Sequence, residues 1–519
     1  MNNSIHKTFF LTCLLLVFGI SDATAKTEVA KLYQKHCAQC HGKDRLGGMG
    51  EALLPGNLTR LPKKKAATVI RDGRPATQMP ALGDQLTNAQ IDALVKYIYT
   101  PLDYIPKWGR AKMQATHKVF HPYGSLPDKP VYDADPLNLF VVVELGDHHV
   151  TILDGDRFEP LMRFKTHLNL HGGPKYSPDG RYVYFASRGG WVSKFDMYNL
   201  KMVAEIRVGI NSRNLAVSGD GRYVMVGNYL PHSLVLLDAR NLDPIKIIPV
   251  RGLDGKSSRV SAVYAAPPRG SFIVALKDIP EVWEISYRDK PAPVYGPMHD
   301  YRYQEGAVDR GPFPIRRIKL DDYLDDFFFD PSYNNLLGAA RNGKKGQVVS
   351  LIVGKKIADL DLSGMPHLGS GISWMYQGRR VMATPNLKKA EVSIIDMQSW
   401  KTIKRIKTLG PGFFMRSHEN SPYAWVDVFF GPNRDAVHII DKKTLKIIKT
   451  LRPAPGKTAA HVEFDRDGSH ALLSIWDRDG AVIVYDAKTL KEIKRLPMNK
   501  PSGKYNVYNK THRSEGTSH

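Results

Sequence analysis

From about residue 135 onward, short apolar stretches rich in Val, Ile, Tyr and Phe recur between polar turns. In the two clearest copies, Ser-Pro-Asp-Gly at 177–180 and Ser-Gly-Asp-Gly at 218–221 are each followed by an Arg-Tyr-Val strand. A further strand after each turn ends in Asp, and the last three of these, at Asp396, Asp441 and Asp486, are 45 residues apart. A period of about 40–50 residues with several short strands per repeat is typical of a β-propeller.

We count eight such repeats in residues 135–519, so this part of the chain is predicted to be an all-β eight-bladed propeller, with seven blades as the alternative. The widest gap, around residues 270–330, holds an insertion at 295–314. One blade cannot bury both of its faces, so the fold needs neighbouring blades and closure of the ring.

Upstream, the apolar positions change to helical spacing. Val29, Leu32 and Tyr33 predict one helix, and a second is predicted from Thr87 to Ile98, with Thr87 as its N-cap. Residues 26–103 are therefore expected to form a small all-α domain. Residues 104–134 contain repeated prolines and are expected to be an irregular connector.

The first helix leads into Cys37-Ala-Gln-Cys40-His41, the attachment pattern of a c-type heme. The two thiols can form thioethers to the porphyrin, and the adjacent histidine can supply an axial nitrogen to the iron. A thioredoxin-like pair would follow a strand in a βαβ unit, and none is visible. A zinc site would need two further ligands nearby. The motif therefore predicts a covalent heme c and a cytochrome c domain.

The heme iron also needs a sixth ligand or a vacant position, and a methionine thioether is the usual partner in electron-transfer cytochromes. Met79 lies on a loop before the second predicted helix, where such a ligand is expected. Met49 and His36 are the rival candidates, and Met79 could instead be a core residue.

The N-terminus indicates export. Residues 1–25 combine Lys7, an apolar core and Ala-Thr-Ala at 23–25, which together predict a signal peptide and a mature chain beginning at Lys26. The apolar run is too short to span a membrane, so the protein is not expected to be membrane-embedded. Cys13 lies inside the apolar core, which argues against a lipoprotein. Export together with covalent heme indicates a bacterial periplasm.

The chain of 519 residues has a net charge of +23, from 74 Lys+Arg and 51 Asp+Glu. A nucleic acid is a common partner of such a chain, but no basic helix or aromatic RNA-binding pattern is present, and we expect none. An anionic cofactor or an acidic redox partner fits the charge better.

An exported cytochrome c domain followed by an eight-bladed propeller resembles the cytochrome cd1 nitrite reductase family over residues 26–510. The resemblance implies that the propeller holds heme d1 non-covalently. It places the proximal iron ligand at His171, in Leu-Asn-Leu-His-Gly-Gly, just before the turn at 177–180. It also places basic and aromatic contacts to the tetrapyrrole at Arg188, Arg213 and Tyr229. Arginines suit this cofactor because heme d1 is rich in carboxylates.

One departure from the family is informative. The family carries two distal histidines, and the second matches His367 in Met-Pro-His-Leu-Gly. The first should lie about 40 residues earlier, but that stretch reads Tyr-Leu-Asp-Asp-Phe at 323–327. A carboxylate such as Asp325 repels nitrite. The chain therefore resembles the NirN branch of the family, whose members oxidise dihydro-heme d1 to heme d1.

That branch implies a dehydrogenation of a propionate to an acrylate, for which His367, His461 and Tyr505 are the candidate catalytic residues. The tetrapyrrole would be the substrate, and heme c would take the electrons and pass them to a periplasmic acceptor. Two alternatives stay open. The chain could be a carrier that delivers heme d1 to nitrite reductase, or a nitrite reductase with altered distal chemistry.

Overall fold

The structure is a computed structural model that describes residues 27–74, 79–295, 308–309, 311–339, 345–362 and 364–513. The predicted signal peptide, with Cys13, lies outside the described residues. The chain divides into two compact units at the Pro106–Lys107 bond. No helix in the described ranges is both long and apolar enough to cross a bilayer.

The first unit is a small all-α domain. Its helices are α1 (27–36), α2 (Ala38–His41), α3 (Lys63–Asp72) and α4 (Asn88–Ile98). The predicted N-cap is confirmed, because the Thr87 hydroxyl accepts the Gln90 N–H and the Gln90 side chain accepts the Thr87 N–H. This capping box satisfies two donors at the helix start that have no partner within the helix. The inward face of α4, with Ile91 and Leu94 fully buried, packs on α3.

The connector differs from the expectation. Residues 110–116 form a helix, α5 (Arg110–Thr116), and residues 118–119 form a strand, β1 (Lys118–Val119). Met113 is fully buried in a core shared with the second unit's strands, and β1 pairs antiparallel with residues 204–205. Residues 107–134 therefore belong to the second unit, because apolar burial and a strand pairing outweigh the prolines of this segment.

The second unit contains eight blades of antiparallel strands in the described residues, which confirms the predicted all-β propeller. The strands of its first half are β2 (Phe140–Glu144), β3 (His149–Leu153), β4 (Pro160–Lys165), β5 (Lys175–Tyr176), β6 (Tyr182–Ala186), β7 (Trp191–Asp196), β8 (Lys201–Arg207), β9 (Asn211–Val217), β10 (Tyr223–Leu230), β11 (Ser233–Asp238), β12 (Pro244–Pro249), β13 (Val260–Ala266), β14 (Ser271–Leu276), β15 (Glu281–Ser286), β16 (Val294–Tyr295), β17 (Val308–Asp309) and β18 (Ile315–Lys319).

The strands of its second half are β19 (Asp326–Phe329), β20 (Asn335–Ala339), β21 (Gly346–Ser350), β22 (Lys355–Leu360), β23 (Ile372–Tyr376), β24 (Arg379–Pro385), β25 (Glu391–Asp396), β26 (Thr402–Lys407), β27 (Met415–Ser417), β28 (Tyr423–Asp427), β29 (Val437–Asp441), β30 (Lys446–Leu451), β31 (Ala459–Phe464), β32 (His470–Ile475), β33 (Gly480–Asp486), β34 (Glu492–Met498) and β35 (Pro501–Asn506). A short helix, α6 (Val507–Thr511), follows.

Blade one is closed by the end of the chain. Its strand order is β35-β2-β3-β4, so the last strand in sequence becomes the first strand of the first blade. The other seven blades are each built on four strands in sequence order, with β1 added as a fifth strand to blade two and with β16 and β17 forming a separate hairpin inside the insertion of blade four. This closure joins the two ends of the propeller chain within one blade and so holds the ring shut.

The Asp that ends the third strand of a blade has a structural reason. Asp396 is nearly fully buried, and its Oδ1 accepts the backbone N–H groups of Gln398 and Ser399. The same oxygen of Asp486 accepts those of Lys488 and Thr489. An Asp side chain can satisfy donors in the following turn in this way, which explains the repeated signal in the sequence.

Candidate functional site

In the first unit, the heme motif lies where α1 passes into α2. The Cys37 N–H donates to Tyr33 O and the His41 N–H to Cys37 O, so the two cysteines and the histidine share one helical turn. Both thiols are free, as covalent attachment of a heme requires. The first unit therefore presents all three groups of the predicted attachment site together.

The His41 ring is held in the form that ligates iron. Nδ1 lies 2.7 Å from Glu51 O, and because a carbonyl can only accept, Nδ1 carries the proton and Nε2 keeps its lone pair. Burial lowers the pKa of His41, which favours the neutral ring. Gly50 passes so close that a Cβ there would be 2.6 Å from His41 Cε1, so only glycine fits beside this ring.

Met79, the predicted sixth ligand, lies in the same unit. It is partly buried and packs against the apolar cluster that contains Cys37. Its backbone carbonyl accepts the Arg74 N–H at 3.2 Å. The structure thus places Met79 on a loop that borders the attachment cysteines, and its role as a ligand remains a prediction.

In the propeller, His171 shows the same hydrogen-bond arrangement as His41. Its Nδ1 lies 2.9 Å from Arg213 O and therefore donates, while its Nε2 accepts from Arg213 Nη1 at 2.8 Å and from Arg188 Nη2 at 3.0 Å. The Nε2 lone pair is thus directed toward two guanidinium groups. This donor set fits an iron-bound, carboxylate-bearing tetrapyrrole, for which the nitrogen would hold the metal and the arginines the acids.

The site contains two more basic side chains near Tyr229 than the sequence predicted, Arg259 and Lys277. Tyr229 is nearly fully buried, and its ring centroid lies 5.5 Å from Arg188 Cζ, 5.6 Å from Arg259 Cζ and 5.3 Å from Lys277 Nζ. Lys277 Nζ is also 3.6 Å from Asp325 Oδ1. Sequence reasoning missed Arg259 and Lys277, because blade four carries them and no local pattern directs their side chains to Tyr229.

On the next blades, His367 lies beside a carboxylate and an aromatic wall. Its Nδ1 donates to Phe413 O at 2.7 Å, its Nε2 is 3.7 Å from Asp326 Oδ2, and its ring contacts Phe413 at 4.4 Å between centroids. Asp326 also accepts the Tyr264 hydroxyl at 3.2 Å. The two neighbouring aspartates therefore differ, since Asp325 pairs with Lys277 and Asp326 faces His367.

The aromatic wall was also missed. The wall is a cluster of five aromatic side chains in blades seven and eight. Their ring centroids lie 4.4–6.5 Å apart in the contacting pairs, and the five are Phe413, Phe414, Phe429, Phe430 and Trp476. The Phe-Phe pairs at 413–414 and 429–430 are the sequence signal that could have found it. The wall forms an apolar surface next to the candidate catalytic residues.

His461 lies on a β-bulge. Residues 460 and 462 pair with the neighbouring strand, His461 does not, and its φ is +55°. A bulge re-aims the side chain of the extra residue. The ring contacts Phe414 at 4.7 Å and Tyr505 at 5.1 Å, and its buried Nε2 has no hydrogen-bond partner among the described residues. Burial, followed by the charge of Lys504, lowers the pKa of His461, so the ring is neutral at pH 7.

Tyr505 lies on β35, the strand that closes the ring. Two glycines leave room for its side chain. A Cβ at Gly503 would be 2.5 Å from Tyr505 Oη, and one at Gly173 would be 2.9 Å from Tyr505 Cε1. Burial raises the pKa of Tyr505 to about 12, so the phenol keeps its proton at neutral pH. A neutral imidazole thus lies against a protonated phenol.

The predicted propeller residues lie on one closed path of side-chain contacts and short chain segments across successive blades. Tyr505 packs on Gly173, two residues from His171, and His171 binds Arg188 and Arg213. The path continues through Tyr229, Lys277, Asp325, Asp326, His367, Phe413, Phe414 and His461 and returns to Tyr505. The structure therefore gathers all seven predicted propeller residues at one site.

Two family profiles match this chain. The family described as cytochrome D1 heme domain matches residues 134–510. The family described as cytochrome C oxidase, cbb3-type, subunit III matches residues 24–98. The two matches cover the propeller and the small helical unit, respectively.

Three individual proteins are similar to the chain over nearly its whole length. A dihydro-heme d1 dehydrogenase of Pseudomonas aeruginosa is 57% identical over 504 residues, covering 97% of this chain and 98% of that protein. A nitrite reductase of Stutzerimonas stutzeri is 26% identical over 540 residues, covering 94% and 93%. A solved structure of dihydro-heme d1 dehydrogenase NirN in complex with DHE has a TM-score of 0.76 and 56% identity, covering 93% of this chain and 99% of that chain.

Proposed function

We propose that this chain, which belongs to the cytochrome D1 heme domain family and within it to the NirN-like branch, oxidises dihydro-heme d1 to heme d1. The membership confirms the family predicted from the sequence. The two profile matches agree with the two predicted heme types, a covalent heme c in the helical unit and a d1-type heme in the propeller. The reaction converts one propionate side chain of the substrate into an acrylate and releases two electrons and two protons.

The observation that carries the proposal is the His461–Tyr505 pair on the same path of contacts as His171. The ring centroids of the pair are 5.1 Å apart, and Tyr505 packs on Gly173 beside the candidate iron ligand. A substrate held by His171 would therefore lie within reach of a neutral imidazole and a phenol. General acid–base chemistry needs groups at such a distance from the reacting atoms.

Four residues bind and orient the substrate in this proposal. His171 Nε2 holds the iron, and Arg188 and Arg213 pair with the acidic side chains in place of their present contact with that nitrogen. Tyr229 keeps Arg188 in position through its ring face. Charge-assisted pairs with arginine are strong and directional, so they fix which edge of the macrocycle faces the catalytic pair.

Three residues handle protons. His461 is neutral, because burial lowers its pKa, and can accept a proton from the side chain being oxidised. Tyr505 is protonated, because burial raises its pKa, and can donate a hydrogen bond to the substrate's carboxylate. His367, held by Phe413 O, is the distal ligand or a further proton-handling group. The aromatic wall keeps water away from this side of the site.

Cys37, Cys40, His41 and Met79 are the residues that would hold a heme c, which would supply a one-electron acceptor. Each turnover releases two electrons, so a further periplasmic acceptor must reoxidise it. The leader predicted for residues 1–25 supports a periplasmic location. The product is the cofactor of nitrite reductase, which is therefore the partner proposed to receive it.

The test is an anaerobic mixture of the mature protein with dihydro-heme d1, followed by absorption over time. We expect the spectrum of the bound pigment to convert to that of heme d1 while heme c becomes reduced. His461→Ala and Tyr505→Phe should bind the pigment and slow its conversion. Wild-type conversion rates in both variants would remove the pair from the mechanism.

The same experiment separates the alternatives. Pigment that binds but never converts, even with an added electron acceptor, would indicate a carrier. Oxidation of the reduced protein by nitrite would indicate a nitrite reductase. The lack of the first distal histidine disfavours nitrite reduction, because Asp325, which pairs with Lys277, stands where the nitrite reductases have a histidine that donates protons to the substrate.

A further inference from the structure

One buried carboxyl group lies behind the catalytic pair and contacts three separate backbone groups. Asp427 ends β28 and is almost completely inaccessible to solvent. Its Oδ1 accepts the N–H groups of Phe413 at 2.7 Å and Phe414 at 3.1 Å, and its Oδ2 accepts the N–H of His461 at 3.3 Å. The side chain thus joins two segments that no strand ladder connects at these positions.

All three donors depend on this carboxyl group for a specific reason. Phe413 and Phe414 precede β27 in an irregular segment, and His461 is the unpaired residue of its bulge. None of the three N–H groups can bond within a ladder, and a backbone N–H without a partner is costly away from water. The left-handed φ of His461, +55°, adds a conformational cost that the surrounding structure must offset.

The contacts extend from Asp427 to both candidate histidines. Phe413, whose N–H binds Asp427, accepts the Nδ1–H of His367 through its carbonyl oxygen at 2.7 Å. Phe414, whose N–H binds the same carboxyl oxygen, places its ring 4.7 Å from that of His461. His461 is held directly through its own N–H. One side chain therefore fixes the backbone behind His367 and behind His461.

We propose that Asp427 is a positioning residue that sets the location of His461 and of His367 relative to each other. Asp427 does not face the substrate and acts only through the backbone groups that it binds. The consequence for turnover rests on the proposed dehydrogenase function, whereas the positioning of the two rings does not.

A carboxylate suits this role better than an amide. Two oxygens are needed, one for the Phe413 and Phe414 donors and one for the His461 donor. An asparagine has a single acceptor oxygen, so its NH₂ group must point at one of the two sets of N–H groups. Burial raises the pKa of Asp427 to about 7, while the three N–H donors oppose this shift. Asp427→Asn is therefore a near-isosteric change that must release one side of the contact.

The matched control is Asp396→Asn. Asp396 is buried to a similar degree and also accepts backbone N–H groups, those of Gln398 and Ser399, but it lies at an outer turn of blade six. Both variants replace a buried carboxyl group that accepts backbone N–H groups, so both should lower the melting temperature, Asp396→Asn by less because its two donors share one oxygen that Asn retains. Only Asp427→Asn is expected to lower kcat, by about tenfold or more, with KM within about twofold, because His171, Arg188 and Arg213, which bind the substrate in the proposal, are not among the groups that Asp427 is shown to contact.

A double variant tests whether the effect passes through His461. If it does, Asp427→Asn should slow the His461→Ala variant by a smaller factor than it slows the wild-type protein, and the remaining factor reports the displacement of His367. Losses that multiply, or wild-type kcat in Asp427→Asn, would overturn the proposal. An equal fall in kcat for Asp396→Asn would overturn it as well, since the effect would then reflect general destabilisation.

Two measurements do not depend on turnover. In protein labelled with ¹⁵N-histidine and kept with heme c reduced, the imidazole resonances of His367 and His461 should shift in Asp427→Asn and not in Asp396→Asn. In the wild-type protein, the amide hydrogens of Phe413, Phe414 and His461 should exchange as slowly as those of the adjoining strands. Unshifted resonances or fast exchange would overturn the proposal. If the wild-type protein does not convert its substrate, the proposed function fails while these two measurements still decide the role of Asp427.

Discussion

Gly503→Ala is the sharpest available test of Tyr505, because it moves the phenol without removing it. An added Cβ at Gly503 would lie 2.5 Å from Tyr505 Oη and 2.8 Å from Cζ, whereas ordinary contact begins at about 3.4 Å. The hydroxyl must therefore retreat by about 0.9 Å. The opposite side of the Tyr505 ring packs on Gly173, where an added Cβ would be 2.9 Å from Tyr505 Cε1. The ring therefore has little room to move away from Gly503 in that direction.

The size of the effect follows from this displacement. A misplacement of about 1 Å in a catalytic group can cost on the order of 10²-fold in rate. That factor corresponds to about 2.7 kcal/mol of activation free energy. Overpacking costs about 1–3 kcal/mol of stability, and replacing a strand glycine by alanine returns about 0.4–1 kcal/mol. The variant should therefore fold with a modest loss of stability and a large loss of turnover.

The assay is single-turnover conversion of bound dihydro-heme d1, measured beside Tyr505→Phe. Gly109→Ala is the matched control, since a Cβ there meets nothing within 4 Å and the rate should not change. Gly109 is the N-cap of α5, so this control should also lose a modest amount of stability. Substrate binding should be retained, because His171 and the arginines are not affected. If Tyr505→Phe is slow but Gly503→Ala converts at the wild-type rate, the reasoning from ring position is wrong.

Three further predictions concern other parts of the molecule. Ending the chain after Lys500 removes β35 from blade one, so the shortened protein should lose its cooperative melting transition, whereas removal of residues 514–519 alone should not. The hydrogen bond that His470 donates to the Asp465 carboxylate raises the pKa of His470 above its usual 6.5, so this stabilisation is present below pH 6.5 and is lost as pH rises through the folded-state pKa. In urea unfolding, His470→Gln should consequently destabilise the protein more below about pH 6 than above about pH 8. Met79→Ala should change the absorption spectrum of the reduced heme c, and an unchanged spectrum would rule out Met79 as the sixth ligand.

The features that could be predicted from the sequence are those that depend on nearby residues. The heme motif is contained in five consecutive positions, and the N-cap of α4 depends on Thr87 and Gln90 alone. The blade repeat was visible because the third strand of five blades ends in an Asp, whose side chain binds the N–H groups two and three residues further on, as at Asp396. Such contacts lie within one turn of the chain, so a single sequence displays them.

In the connector, residues 104–134, prediction from nearby residues failed. Its prolines indicated irregular structure, but Met113 is fully buried and Lys118 pairs opposite Glu205, 87 residues further along. A two-residue strand has too little pattern of its own to be recognised. Its pairing partner, an edge strand of blade two, decided that it forms.

For the site, the sequence determined which residues are present, and resemblance to a family indicated which of them to examine. His171, His367, His461 and Tyr505 come from four different blades, and only the closure of the ring by β35 brings Tyr505 beside His461 and Gly173. The contacts of Asp427 and Lys277 arise only where neighbouring blades pack together. Local sequence determines strands and turns because their hydrogen bonds span a few residues, whereas the site depends on contacts between blades that only the folded propeller forms.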